Sequence, residues 1–142
     1  MSHPSRLALV DRHLRAANAR EMQATLATLS SDCVFEDLAL GRTYQGRSGA
    51  ADYYRLWWEA FAPTIAAERL HWTEDGNAIA ETRWQGVHSG HFIGMDATGR
   101  RIDVPVAVFV TFSDDDLMAG KRFYYDLTTI RRQLALGRPG PE

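Results

Sequence analysis

The sequence predicts an α+β fold in which helices lie on one face of an antiparallel sheet. Up to Pro63, apolar residues recur mainly at helical spacing. From about Ile65 the pattern becomes alternating, and turn-forming clusters separate the alternating runs. Helices first, then four or more consecutive strands, is the order of a fold that gathers its helices on one sheet face.

Each element has its own signal. Leu7, Val10, Leu14 and Ala17, with Arg and Asp between them, predict an amphipathic helix over residues 5–19. Met22, Leu26 and Leu29 fit a second short helix ending near Ser30-Ser31-Asp32, and residues 33–37 read as a short strand. Gly41, Gly46 and Gly49 punctuate a loop that holds Tyr44. Ser48 suits the N-cap of a third helix that Pro63 ends, with Asp52 in its first turn. That helix carries Tyr53, Tyr54, Trp57, Trp58 and Phe61, a face broad enough to close over the concave side of a sheet.

Strands follow over residues 68–73 and from 78 to about 90, joined by Glu74-Asp75-Gly76-Asn77. Ile102, Val104, Val106, Val108, Val110 and Phe112 alternate strictly after the turn at Asp96-Ala97-Thr98-Gly99. Ser113-Asp114-Asp115-Asp116 closes a hairpin onto a strand over 117–127. A short helix after Thr128 leads into a Gly-Pro tail over 137–142 that is expected to fray.

The totals fit one domain over residues 1–142, with 45% hydrophobic and 24% charged residues and a formal charge of −2. There is no basic stripe, so neither nucleic acid nor an anionic membrane is the expected partner. No stretch approaches the ~18–20 apolar residues of a membrane helix. Cys33 is the only cysteine, which excludes an internal disulfide and suits a reducing cytoplasm. Four Trp, five Tyr and six Phe imply a well-filled core, an aromatic-lined cavity, or both.

The segment Trp84-Gln85-Gly86-Val87-His88-Ser89-Gly90, followed by Phe92-Ile93-Gly94-Met95-Asp96-Ala97-Thr98-Gly99-Arg100, resembles the SnoaL-like polyketide cyclase family. So do Gly41-Arg42-Thr43-Tyr44-Gln45-Gly46-Arg47, and Tyr124-Tyr125-Asp126-Leu127 with Gln133-Leu134. The family sits in the nuclear transport factor 2-like superfamily with ketosteroid isomerases and limonene epoxide hydrolases. The resemblance implies a cone-shaped, curved antiparallel sheet wrapped around N-terminal helices, with a pocket inside. The resemblance also implies a homodimer formed through the outer sheet face.

The resemblance also nominates residues. Asp126 corresponds to the aspartate that is the general acid/base of the cyclases. If Met118, Gly120, Arg122, Tyr124 and Asp126 share the inner face of the last strand, desolvation in the pocket would raise its pKa towards neutrality. The alternative is an ordinary cap on the last helix. Asp37, on the same strand face as Phe35, is a second acid that would repel Asp126 if the two face each other; a surface position is its alternative. Arg83 matches the arginine of the epoxide hydrolase relay, but Gln85 stands where that relay needs an aspartate, so epoxide hydrolysis by that route is disfavoured. Arg83 could instead join a cross-strand ion pair. The cyclases' histidine on the preceding strand falls near Val108, and no histidine lies in 102–127. Phe35, Gln85, Tyr124, Trp57, Trp58 and Val108 are the expected substrate-binding residues. His88 and His91 lack a third metal ligand in sequence and are expected to pack or hydrogen bond.

These readings converge on a cofactor-free acid/base enzyme of cyclase or isomerase type, acting on a small hydrophobic oxygenated substrate. A ligand-binding domain and an oligomerising scaffold are the alternatives. An enzyme needs at least two convergent polar groups in an accessible cavity. A carrier needs only the cavity, and a scaffold needs neither. Asp126 facing a cavity would support catalysis, and Asp126 capping the last helix in solvent would count against it.

Overall fold

The computed structural model of the chain describes residues 3–136. The tail at 137–142 lies outside the described residues. Among the described residues, four helices and six strands follow one another as α1 (His3–Asn18), α2 (Met22–Leu26), β1 (Leu29–Asp37), β2 (Arg42–Gln45), α3 (Gly46–Phe61), β3 (Thr64–Trp72), β4 (Ala78–Val87), β5 (Arg101–Phe112), β6 (Met118–Tyr124) and α4 (Leu127–Leu136). The strands form one mixed sheet in the order β2-β1-β6-β5-β4-β3. Neighbours pair antiparallel except β1 and β6, which run parallel. The expected all-antiparallel sheet is corrected at that pair, because everything from β2 to β5 serves as the long crossover that a parallel pair requires. β2 corrects the loop expected around Tyr44.

The inner face follows period 2 where the strands are regular. Ala78, Ala80, Thr82 and Trp84 of β4 are buried, as are Ile102, Val104, Val106, Val108 and Val110 of β5. α3 covers part of this face with Tyr53, Tyr54, Trp57 and Phe61. It begins at Gly46 rather than after Ser48, and Gln45 at its N-cap makes no side-chain capping bond. It ends where Ala62 turns left-handed at φ 41° and its N–H reaches Trp58 O at 2.9 Å, just before Pro63. Two glycines of the Trp84–Gly90 motif allow the end of α3 to lie against the chain after β4. A Cβ on Gly86 would come within 2.6 Å of Phe61 O, and one on Gly90 within 2.0 Å of Glu59 O.

α1 is clamped across the concave face at both ends. The buried Arg6 donates to Asp116 at 2.8 Å and to Gly76 O at 2.6 Å, one in each of two hairpin turns. Asn18 exchanges two hydrogen bonds with the backbone of Ile65 at 2.8 and 2.9 Å. Its buried stripe is turned by about one residue from the sequence reading, since Leu9, His13, Ala16 and Ala17 are buried while Leu7 is exposed.

The last strand contains the decisive irregularity. Thr111 pairs with Gly120 and Phe112 with Met118, so Ala119 is an extra residue with no partner on β5. Such a bulge reverses the alternation beyond it and re-aims the side chains that follow. Met118 is inward, and after the bulge so are Lys121, Phe123 and Tyr125, while Arg122, Tyr124 and Asp126 are exposed.

Candidate active site

Beneath the middle of α1 lies a cavity of about 60 Å³. Val10, Leu14 and Ala17 of α1 form its roof, and Val108, Val110, Met118 and Phe123 form much of its floor. Ile65 and Ala67 of β3 complete one side, and the exposure of Ala67 marks where the cavity meets solvent. Its polar side chains are His13, Tyr54, Thr82 and Lys121. Thr82 is occupied within the wall: its hydroxyl donates to Val106 O at 2.7 Å and accepts from Trp84 Nε1 at 3.0 Å. The other three meet at one point.

His13 Nδ1 lies 2.6 Å from Thr28 Oγ1, and the only hydroxyl proton of Thr28 is given to Thr25 O, also at 2.6 Å. Thr28 therefore accepts from His13, which assigns the proton to Nδ1 and leaves Nε2 with a bare lone pair. Two donors converge on that lone pair: Tyr54 Oη at 2.8 Å and Lys121 Nζ at 2.7 Å. Burial holds the imidazole well below the usual histidine pKa, and the neighbouring Lys121 adds to this. Burial also raises the Tyr54 phenol well above its ordinary value. The Lys121 ammonium is pulled down by desolvation to about 7.

A second buried polar cluster lies on the far side of Phe35 and Phe123. Asp37 is buried, and its Oδ2 accepts from Tyr53 Oη at 2.7 Å and Tyr125 Oη at 2.8 Å. Its Oδ1 accepts the Leu40 N–H at 2.8 Å. Phe123 packs with tilted rings at 4.7 Å against Tyr53 and at 5.6 Å against Phe35, forming an aromatic wall between Asp37 and the cavity.

The sequence profile of the SnoaL-like polyketide cyclase matches residues 8–134. The chain belongs to that family. No curated protein matches this SnoaL-like chain. Among solved structures it is similar to a candidate polyketide cyclase from Xanthomonas campestris, with a TM-score of 0.85 and 23% identity over 94% of this chain and 100% of that one. A candidate polyketide cyclase from Pseudomonas putida superposes with a TM-score of 0.80 and 26% identity, over 89% and 96% of the two chains. SalBIII, an epoxide hydrolase/cyclase-like enzyme of pyran ring formation in the polyether salinomycin, gives 0.74 and 17%, over 87% and 92%. At these identities the shared property is the fold.

Several residues nominated for this SnoaL-like site lie elsewhere. Asp126 is exposed and caps α4: its Oδ1 accepts the Thr128 N–H and its Oδ2 the Thr129 hydroxyl, both at 2.9 Å. The Thr129 bond lowers its pKa, opposite to the shift expected of a buried acid. It borders an open groove on the outer sheet face, with Tyr124, Glu68 and Glu81. Asp37 and Asp126 thus form no carboxylate pair. Arg83 and Gln85 also lie outside, where Arg83 pairs with Asp103 at 2.7 Å and Glu68 at 3.4 Å, and Gln85 donates to Asp103 at 3.1 Å. This is the cross-strand ion pair that the sequence offered as the alternative. Tyr124 is outward because of the bulge.

Of the remaining nominees, Val108 lines the cavity, and Phe35 is fully buried behind it. Trp57 is core, whereas the half-buried Trp58 stacks on Tyr54 at 5.5 Å and props that phenol. Trp84 and Phe123 are both buried on the inner face of the sheet. His88 is buried beside Phe61, with Nδ1 3.0 Å from Thr98 Oγ1.

The sequence reading missed His13, Tyr54 as a polar group, and Lys121. One signal was available. Of the 16 Lys and Arg residues, Lys121 is the only lysine, and it stands in a strand that is rich in aromatic residues.

Proposed function

We propose that this chain is an acid/base enzyme of cyclase or isomerase type, which removes a proton next to the carbonyl of a small hydrophobic substrate bound under α1. The observation that carries this reading is the bare Nε2 of His13, facing an apolar cavity with two donors beside it. A carbonyl oxygen entering the cluster takes the Tyr54 and Lys121 donors, which then stabilise the developing enolate. Freed of those donors, His13 Nε2 accepts the proton from the adjacent carbon. Its lowered pKa keeps it unprotonated at neutral pH, ready to act as base. The route through Asp126 is set aside. Catalysis rests instead on three convergent polar groups in a cavity that reaches solvent, which meets the requirement set for an enzyme and exceeds that for a carrier.

Membership of a polyketide cyclase family supports the reaction class. The test is deuterium exchange at the α-carbons of cyclopentanone in D₂O, followed by NMR. Wild-type protein should accelerate exchange, and His13→Gln should lose about 100-fold or more of that acceleration, the scale of general base catalysis. Equal rates for the two proteins would overturn the assignment.

A further inference from the structure

We propose that Lys121 is a nucleophile that forms an imine with a small aldehyde or ketone in the α1 cavity. This rests on the acid/base site above and gives it a covalent step. The sequence uses arginine at every other basic position and lysine only here. Arginine cannot lose its proton in a protein, whereas a desolvated lysine can, and only the neutral amine attacks a carbonyl. The bulge at Ala119 aims this one amine inward. Around Nζ stand the rings of Phe35 at 5.8 Å and Phe123 at 6.0 Å, and His13 Nε2 at 2.7 Å. Among the described residues no carboxylate forms an ion pair with it. An ammonium there has no counter-charge, and burial brings it to about 7, where about half is neutral at pH 7.

Cavity size selects the substrate class. About 60 Å³ is the liquid volume of about two water molecules, at ~30 Å³ each. The enclosed part thus takes a carbonyl and the few carbons beside it, with the apolar part among Val10, Val108 and Val110, the oxygen at Tyr54 and the remainder of a small ring directed to the mouth at Ala67. A fused multi-ring compound exceeds this space.

The step balances within the site. The Nζ lone pair forms the C–N bond as the C=O π pair moves to oxygen, and His13 relays one amine proton to that oxygen. The product is a carbinolamine whose hydroxyl lies against Tyr54. Transfer of the second amine proton to the hydroxyl expels water, and the nitrogen lone pair completes the imine. Protonation of the imine nitrogen from solvent makes the neighbouring C–H more acidic, so His13 meets an easier proton than in the free ketone.

The experiment is reductive trapping. The purified chain is incubated at pH 7 with cyclopentanone and sodium cyanoborohydride, and peptides are mapped by mass spectrometry. Lys121 should gain one cyclopentyl group at least tenfold faster than the N-terminal amine, while the larger 2-tetralone should label the N-terminal amine and leave Lys121 untouched. Label on the N-terminal amine with none on Lys121 overturns the imine. Equal labelling of Lys121 by both ketones overturns the size selection. Trapping and exchange together separate the two proposals, since Lys121 is also the enolate donor and its loss slows exchange under either. No label on Lys121 with exchange lost in His13→Gln removes the imine and leaves the acid/base reading standing, whereas label on Lys121 with exchange unchanged in His13→Gln keeps the imine and removes His13 as the base.

Discussion

The Asp37 cluster and the His13 cluster are both buried in one aromatic core, and they are built on opposite principles. Around Asp37 the acceptors match the donors: two phenols and one backbone N–H are distributed over a carboxylate, and an aromatic wall closes the group from the cavity. Around His13 the donors outnumber the acceptor: a phenol and an amine compete for one lone pair at the edge of an open space. A satisfied cluster has nothing left to offer a ligand and serves to fix β1, α3 and the end of β6 together. The over-supplied cluster holds hydrogen-bond donors in reserve, and a carbonyl oxygen is what would use them. Buried polarity alone therefore does not mark a site; an imbalance facing a cavity does.

Three measurements bear on this contrast. The largest effect should come from the pH dependence of stability. Unfolded lysine keeps its proton to about pH 10.4, whereas folded Lys121 releases it near 7. Between those values the unfolded state binds more protons, so stability should rise with pH, by up to about 1.4 kcal/mol per unit. Contact with solvent reduces this to roughly 2–3 kcal/mol in total between pH 7 and 9.5. His13 adds a loss of stability below about pH 6.5, because its imidazole protonates only on unfolding. Tyr53 and Tyr54 add a loss above about pH 10, since their raised pKa values disfavour ionisation in the folded state. Lys121→Met should abolish the central rise and leave both outer limbs, as read from thermal melts across pH. An unchanged slope in that variant would mean that Lys121 is not a buried, discharged amine.

The closed cluster should respond in stability alone. Asp37→Asn removes the charge that both phenols address, and should cost about 2–3 kcal/mol in urea unfolding. Ketone α-exchange by the folded variant should stay within about twofold of wild type, since general base catalysis is untouched. A large loss of exchange would join Asp37 to the working site and erase the distinction. The smallest effect is expected outside both clusters. Asp126→Ala should lower stability by about 1 kcal/mol through the lost α4 cap, with exchange unaltered. A collapse of exchange there would return the acid/base role to Asp126.

Much of the fold was legible because local pattern and tertiary environment agree. The alternation of β5 names its inward residues correctly, and Phe35 with Asp37 was rightly placed on one face of β1, whereas β4 was read with the wrong face inward, Arg83 and Gln85 taking the place that belongs to Thr82 and Trp84. β2 was not legible, since four residues among glycines form a strand only by pairing with β1. The parallel contact of β1 with β6 leaves no local trace at all. The site was read less well for a related reason. Period 2 was carried through Ala119 as if β6 were regular, which sent Tyr124 and Asp126 inward on paper and Lys121 outward. His13 was hidden by a helical stripe set one residue off, with exposed Leu7 in place of buried Leu9.

The Ala119 bulge also bears on how relatives are read. Within such a family, an alignment that slides by a single place across this point exchanges a titratable amine for a permanently charged guanidinium as the inward residue. Gaps in the last strand thus carry as much chemical information as substitutions, and a lineage can gain or lose reactive chemistry here by one inserted codon, with every other residue unchanged.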